Sequence, residues 1–183
     1  MTDRKDILEP EASAHVHIQS LSWGDRNFLP AVNKLMAQFL ENSGRDYQPV
    51  TEHDFYDITY RQERTVIPYI IRDFRVPEND GVIGTATLVM TRLLDGWVAK
   101  IEDVVVDKRF RGLRYGRTLA KFIFDTLQCW ATGRYKQPIE VYLKSRPDQQ
   151  LANAMYERMG FNLIATATDS PNGRHLYQKI ITP

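Results

Sequence analysis

An α+β fold, a central mixed β-sheet flanked by helices, is predicted by three features of this 183-residue chain. Two helical apolar patterns come first. Three strand-like runs then follow with only turns between them, which makes an antiparallel meander. A helix, a strand, a helix and two short strands close the chain. The order reads ααβββαβαββ with one strand in front, and nothing between the elements has the composition of a linker. Residues 1–14 read as a polar tail and 15–183 as a single domain.

His15 to Leu21 alternates weakly and reads as the leading strand. Asp25 and Asn27 offer capping oxygens ahead of Pro30, which suits a first helical turn. Behind them Val32, Leu35, Met36, Phe39 and Leu40 recur at i, i+3, i+4, i+7 and i+8, with Gly44 as the stop. Thr51 with Asp54 three residues later forms a capping box for a second helix, with Phe55 and Ile58 facing inward. Thr65 to Val76 is β-branched and aromatic, and Pro68 marks an edge or a bulge. Pro77 to Gly81 is turn chemistry, Val82 to Met90 the next strand, and Asp95-Gly96 a turn into Trp97 to Val106. Arg114 to Ala131 has Leu119, Ile123, Leu127 and Trp130 on one helical face, with Gly133 as its stop. Pro138 opens a strand from Ile139 to Leu143. Asp148 caps a helix whose Leu151, Met155 and Met159 point one way, and Gly160 ends it. Phe161 to Thr166 and Arg174 to Ile181 are the last strands.

Lys plus Arg number 24 and Asp plus Glu 23, a net charge of +1. That balance argues against a nucleic-acid partner, which needs an excess of cations. The one cysteine, Cys129, excludes an intrachain disulfide and reads as a small buried hydrophobe. His15, His17, His53 and His175 lack metal-ligand spacing, so no metal is expected. No stretch reads as a signal peptide or a membrane span, and the expected location is the cytoplasm.

The chemistry sits between Ile101 and Leu119. A strand ending in Val104, Val105 and Val106 runs into the loop Arg111, Gly112, Leu113, Arg114, Tyr115, Gly116, which opens the long helix at Arg117. The first turn of a helix presents unpaired N–H groups and a dipole that favours anions. The two glycines let phosphate oxygens approach the main chain. Lys108, Arg109, Arg111, Arg114 and Arg117 add cations. The loop alone reads equally as a solvated basic helix start. It is neither a Walker loop nor a dinucleotide fingerprint.

This segment resembles the coenzyme A-binding motif of the GNAT N-acetyltransferase superfamily. Val104 to Val106 look like its splayed strand, and Arg111 to Gly116 like its pyrophosphate loop. Val82-Ile-Gly-Thr-Ala-Thr-Leu88 is similar to its glycine-bearing strand, and Ala152-Asn-Ala-Met-Tyr-Glu-Arg-Met-Gly-Phe161 to its Tyr-Glu-x-x-Gly-Phe helix end. The segment Ile101-Glu102-Asp103 resembles the glucosamine-phosphate N-acetyltransferase branch in particular. Two positions depart from the pattern. Arg114 stands where a glycine is expected, a side chain the loop tolerates if φ stays negative. Gln149 stands where an Asn that touches the coenzyme is common, so Gln149 or Asn153 substitutes for it.

The resemblance implies an acyl-CoA-dependent N-acyltransferase, with acetyl-CoA as co-substrate and a small amine as acceptor. A homodimer stays open. A backbone N–H at Val104 would hold the oxyanion. Tyr156 would protonate the departing thiolate. An ordinary phenol near ~10 against a thiol near ~8.5 makes that transfer uphill by only ~2 kcal/mol. Glu102 would act as the base, since strand alternation sends Glu102 and Asp103 to opposite faces. By the same analogy Tyr47, His53, Phe55 and Tyr56 line the acceptor pocket. The alternatives are a non-catalytic CoA-binding sensor, with Arg114 spoiling productive binding, and, more distantly, a nucleic-acid module built on the basic loop.

Overall fold

The computed structural model describes residues 14–41, 46–61, 65–169 and 173–183. Nearly all of the tail read over 1–14, and the Gly44 stop, lie outside them. Seven strands make up one sheet: β1 (Val16–Ser20), β2 (Val66–Asp73), β3 (Val82–Arg92), β4 (Trp97–Val106), β5 (Ile139–Ser145), β6 (Asn162–Ala165) and β7 (His175–Ile181). Their order is β1-β2-β3-β4-β5-β7-β6. The sheet is mixed, because β4 and β5 run parallel while β1–β2, β5–β7 and β6–β7 run antiparallel. Among the described residues the helices that accompany it are α1 (Leu29–Leu40), α2 (Glu52–Tyr56), α3 (Tyr115–Cys129) and α4 (Gln150–Arg158). The predicted fold class and element order are those observed. The chain divides into two compact units. The first takes the described residues of 1–62, 67–86 and 103–119, the second those of 63–66, 87–102 and 120–183.

In the first unit Asp25 does not cap α1 directly. It closes a capping box with Ser22, whose amide donates to its carboxylate at 2.9 Å, and this opens a 3₁₀ turn over Trp23–Phe28 that runs into α1. Pro30 sits in the first turn of α1, where a missing N–H costs nothing. The Thr51–Asp54 box forms as predicted. The helix it opens has only five residues and continues as a π turn over Asp57–Arg61. So short a helix has no stability of its own. Phe55 anchors it, buried in a cluster with Leu21, Phe28, Leu35, Ile70 and Val105, each such side chain contributing about 1.5–3 kcal/mol. Ile58 is only half-buried.

Pro68 lies in an inner strand and not at an edge. It stands opposite Leu21, just past the last β1–β2 pair, Ser20 with Tyr69. The Leu21 amide donates to the Pro68 carbonyl at 2.7 Å. The return bond has no donor, so the ladder stops there. Gly84 on β3 admits no side chain. A Cβ there would stand 2.8 Å from both the Ile71 Cγ2 and the Val105 carbonyl oxygen.

In the second unit β5 pairs with β4 from Trp97–Ile139 to Ile101–Leu143, and with β7 along its whole length. Leu119, Ile123 and Leu127 of α3 are fully buried, as their spacing predicts. The helix does not stop at Gly133. It widens into a π turn over Trp130–Tyr135 and ends where Lys136 adopts φ +52°. Cys129 is exposed and not a core residue, because its position lies off the Leu119–Ile123–Leu127 face. No described helix is long and apolar enough to cross a membrane.

Candidate active site

In the first unit, β4 delivers Val104, Val105 and Val106 to a turn that is built around Asp107. This side chain is buried, and its carboxylate accepts the Arg109 amide at 3.0 Å, capping a 3₁₀ turn over Lys108–Phe110. Burial pushes its carboxyl up, but the bonds from Arg109 outweigh that and hold it below the ordinary value. Arg109 is thereby engaged. Its guanidinium bridges Asp107, at 3.0 Å, and Glu78. Lys108 pairs with Glu41 at 3.6 Å. Lys108 and Arg109, both expected to meet an anion, are therefore held by carboxylates of the protein itself.

Arg111 turns inward at its Nε, which donates to the Val106 carbonyl at 3.1 Å. Gly112 has φ +81° with open space where a Cβ would project. Arg114 has φ +64°, so the condition of a negative φ is not met. The arginine adopts the left-handed conformation that favours a glycine. Its carbonyl accepts the Thr118 amide at 3.0 Å and closes the first turn of α3. The amides of Tyr115, Gly116 and Arg117 occupy the turn that an α-helix leaves without intrahelical acceptors. A Cβ on Gly116 would meet the Val106 Cγ2 at 3.6 Å, an ordinary contact.

Tyr115 is fastened from below. Its hydroxyl donates to the Asp73 carboxylate at 2.7 Å, and Asp73 is only 2% exposed. Arg75 clamps the same carboxylate through Nε at 3.0 Å and Nη2 at 2.7 Å. The Arg75 bonds first, and the Tyr115 hydroxyl with them, hold the Asp73 carboxyl well below the usual range. Nothing in the sequence singled out Asp73 or Arg75. A buried acid at the end of a strand has no local signature, and its partner Tyr115 lies 42 residues away.

The expected acceptor-pocket residues, also in this unit, are only partly available. Phe55 is in the core. The Tyr47 hydroxyl donates to Asn33, and His53 sits 3.6 Å from Asp57. Tyr56 lies between Trp23 and Tyr60, with ring centroids 5.2 and 5.0 Å away.

Strand alternation fails where Glu102 gives way to Asp103, because Asp103 adopts φ +52°. The opposite-face argument for that pair therefore does not hold. Glu102 belongs to the second unit, where it lines a cavity of about 470 Å³.

Helix α4 buries a different face from the one its apolar residues suggest. Leu151 is 82% exposed, whereas Asn153 and Tyr156 are buried at 9% and 6% exposure. Asp148 pairs with Arg146 at 3.4 Å and does not cap the helix, whose N-cap is Gln149. Asn153 donates from Nδ2 to the Arg146 carbonyl at 3.1 Å, while its Oδ1 is buried with no hydrogen-bond partner among the described residues. Tyr156 packs between Phe161 and Tyr177, at 6.1 and 6.0 Å between ring centroids. Burial, with Tyr177 adding to it, pushes its hydroxyl up to about 12. Among the described residues no cluster of His, Cys, Asp and Glu could hold a metal ion.

A left-handed loop at a helix start, below a strand that only glycine at 84 allows, gives these motifs their structural context. The family model of the acetyltransferase (GNAT) family matches residues 31–161. This chain belongs to the GNAT family. Among solved structures, glucosamine-6-phosphate N-acetyltransferase from Arabidopsis thaliana is similar at 22% identity, over 82% of this chain and 93% of that one, with a TM-score of 0.60. A GNAT acetyltransferase from Streptococcus pneumoniae matches at 16% identity over 91% and 99%, with a TM-score of 0.67. The ribosomal-protein-S18-alanine N-acetyltransferase from Escherichia coli matches at 20% identity over 92% and 95%, with a TM-score of 0.59. These likenesses carry the fold. No curated protein matches this GNAT chain in sequence.

Proposed function

We propose that this GNAT protein moves an acetyl group from acetyl-CoA to a small primary amine by direct attack in a ternary complex. The start of α3 carries the reading. There Gly112, Arg114 and Gly116 shape a loop whose following amides lack helical acceptors, with Arg111, Arg114 and Arg117 around it. A diphosphate is the ligand that uses N–H donors, close main-chain approach and guanidinium groups together. The buried Oδ1 of Asn153 fits the same co-substrate, whose pantetheine arm carries amide N–H donors. The neighbours act on acceptors as different as an amino-sugar phosphate and a protein alanine, so the family alone does not select the amine.

In the reaction the C–N bond forms and the C–S bond breaks. Glu102 takes a proton from the attacking amine, directly or through one water. The Val104 amide donates to the carbonyl oxygen as it gains charge. Tyr156 donates a proton to the departing sulfur. With its hydroxyl near 12, that transfer is uphill by about 5 kcal/mol against an ordinary thiol, and not the ~2 kcal/mol of an unburied phenol. Tyr156 therefore acts through a hydrogen bond that strengthens as charge builds on sulfur, and the proton crosses late. Thiol release from acetyl-CoA, measured with and without a panel of amines, tests the reading. Amine-dependent release supports it, and release that no amine accelerates contradicts it.

A further inference from the structure

The cavity of the second unit has a charge pattern that names the class of acceptor. It lies on one face of β3, β4, β5 and β7 and is lined by Lys100, Glu102, Glu140, Tyr142 and Lys144, with Leu93, Val98 and Leu176 as apolar walls. The alternate residues Ala99, Ile101, Ile139 and Val141 are buried on the other face. The register sets Lys100 beside Tyr142 and Tyr142 beside Gln178, with Val98 beside Glu140 in the next row.

The polar groups here divide into two sets. Glu140 is engaged within the protein. The Tyr142 hydroxyl donates to it at 2.6 Å, and Gln178 donates to that hydroxyl at 2.9 Å. The bond to Glu140 raises the Tyr142 hydroxyl above its ordinary value, so the network stays neutral at the phenol. The two lysines are different. Both side chains are exposed, and neither ammonium pairs with a carboxylate among the described residues. Lys100 is two residues from Glu102 along one strand, about 7 Å between Cα atoms, and Lys144 lies on the neighbouring strand one residue past the last β4–β5 pair, Ile101 with Leu143.

We propose that this cavity is the acceptor site and that it selects a primary amine carrying a separate anionic group, a carboxylate or a phosphate. The proposal rests on the acyltransferase reading, with Glu102 receiving the amine and Lys100 and Lys144 the anion. A polyamine would bring further positive charge against two ammonium groups that have no partner carboxylate. A purely anionic ligand would meet Glu102 and Glu140. A molecule with both charges matches both signs of charge in the lining, and a volume of about 470 Å³ holds one of metabolite size.

The test uses matched pairs: ornithine against putrescine, and glucosamine 6-phosphate against glucosamine. For each compound, binding is read by thermal shift without acetyl-CoA, and turnover by thiol release. Both are repeated in the Lys100→Met/Lys144→Met double variant, with acetyl-CoA affinity followed by calorimetry. In the wild type the anionic member of at least one pair should bind and react better by about tenfold or more, about 1.4 kcal/mol. The double variant should lose that preference while keeping its affinity for acetyl-CoA. A carboxylate pair that responds alone identifies the anion as a carboxylate, and a phosphate pair alone as a phosphate. Equal response within both pairs, preference for the member without the anion, no response to any of the four, or a preference that survives loss of both lysines overturns the proposal. Failure of the acyltransferase reading looks different: the wild type would not bind acetyl-CoA at all.

Discussion

Replacing Tyr115 by Phe removes one hydroxyl from beneath the loop and leaves the ring in place. In the native protein that hydroxyl donates 2.7 Å to a carboxylate that is 2% exposed. A hydrogen bond to a charged group contributes about 1.5–3 kcal/mol. Asp73 keeps the two bonds from Arg75, so its charge is not stranded and the loss should sit near the middle of that range, about 2 kcal/mol. For a chain of this length that lowers Tm by roughly 4–8 °C. The effect also has a pH signature. The folded-state carboxyl of Asp73 is depressed, so its contribution is fully present above the unfolded value near ~3.9 and is lost as pH falls toward the folded one. Tyr115→Phe makes the folded carboxyl less depressed; the unfolded value is common to both proteins and cancels, so the stability gap should narrow only as pH falls through the variant's folded value, below the unfolded one. Denaturant unfolding at pH 7 and in strong acid, well below ~3.9, measures both quantities. Equal stability at pH 7, or a gap that does not change with pH, would refute the claim that Asp73 fastens the loop through Tyr115.

Arg114→Gly relieves a left-handed φ at a non-glycine residue, so it should leave stability within about 1 kcal/mol of wild type. It should weaken acetyl-CoA binding and flatten its salt dependence, as calorimetry at two ionic strengths will show; tighter binding with a gain of activity would mark the native arginine as inhibitory. Tyr156→Phe should cut turnover by about 10²–10⁴ with little change in acetyl-CoA affinity. An acyl donor with a more acidic thiol should restore part of the rate, and wild-type turnover in this variant would reduce Tyr156 to packing.

The fold was legible because its strongest signals are periodic and local. Leu119, Ile123 and Leu127 repeat at helical spacing and are buried as a stripe, and the limits of β4 are those expected from its β-branched run. The loop was legible as a motif, since Arg111 to Gly116 gather the arginines and glycines of the resemblance within six consecutive residues. What failed depended on surroundings. In α4 the apolar residues named one face, yet the buried pair is Asn153 and Tyr156, and a buried polar residue is the case that hydrophobic patterning misreads. The left-handed turns at Arg114 and Lys136 were invisible because neither residue type favours positive φ, and Asp103, a type that tolerates it, is hidden inside a β-branched run. Arg109 and Lys108 looked available for an anion until Glu78, Asp107 and Glu41, distant in sequence, met them. The cavity of Lys100, Glu102 and Lys144 draws its charges from two parallel strands, which only the register brings together.

The central claim is that the start of α3 holds the diphosphate of acetyl-CoA, and calorimetric titration of acetyl-CoA into wild type and Gly116→Val tests it most directly. A Cβ at 116 meets only an ordinary 3.6 Å contact with Val106, so the variant should fold, with circular dichroism as the check. Its two added methyl groups would stand where phosphate oxygens approach the main chain. Binding is expected in the wild type, with at least tenfold weaker binding, about 1.4 kcal/mol, in the folded variant. Unchanged affinity in folded Gly116→Val would contradict it.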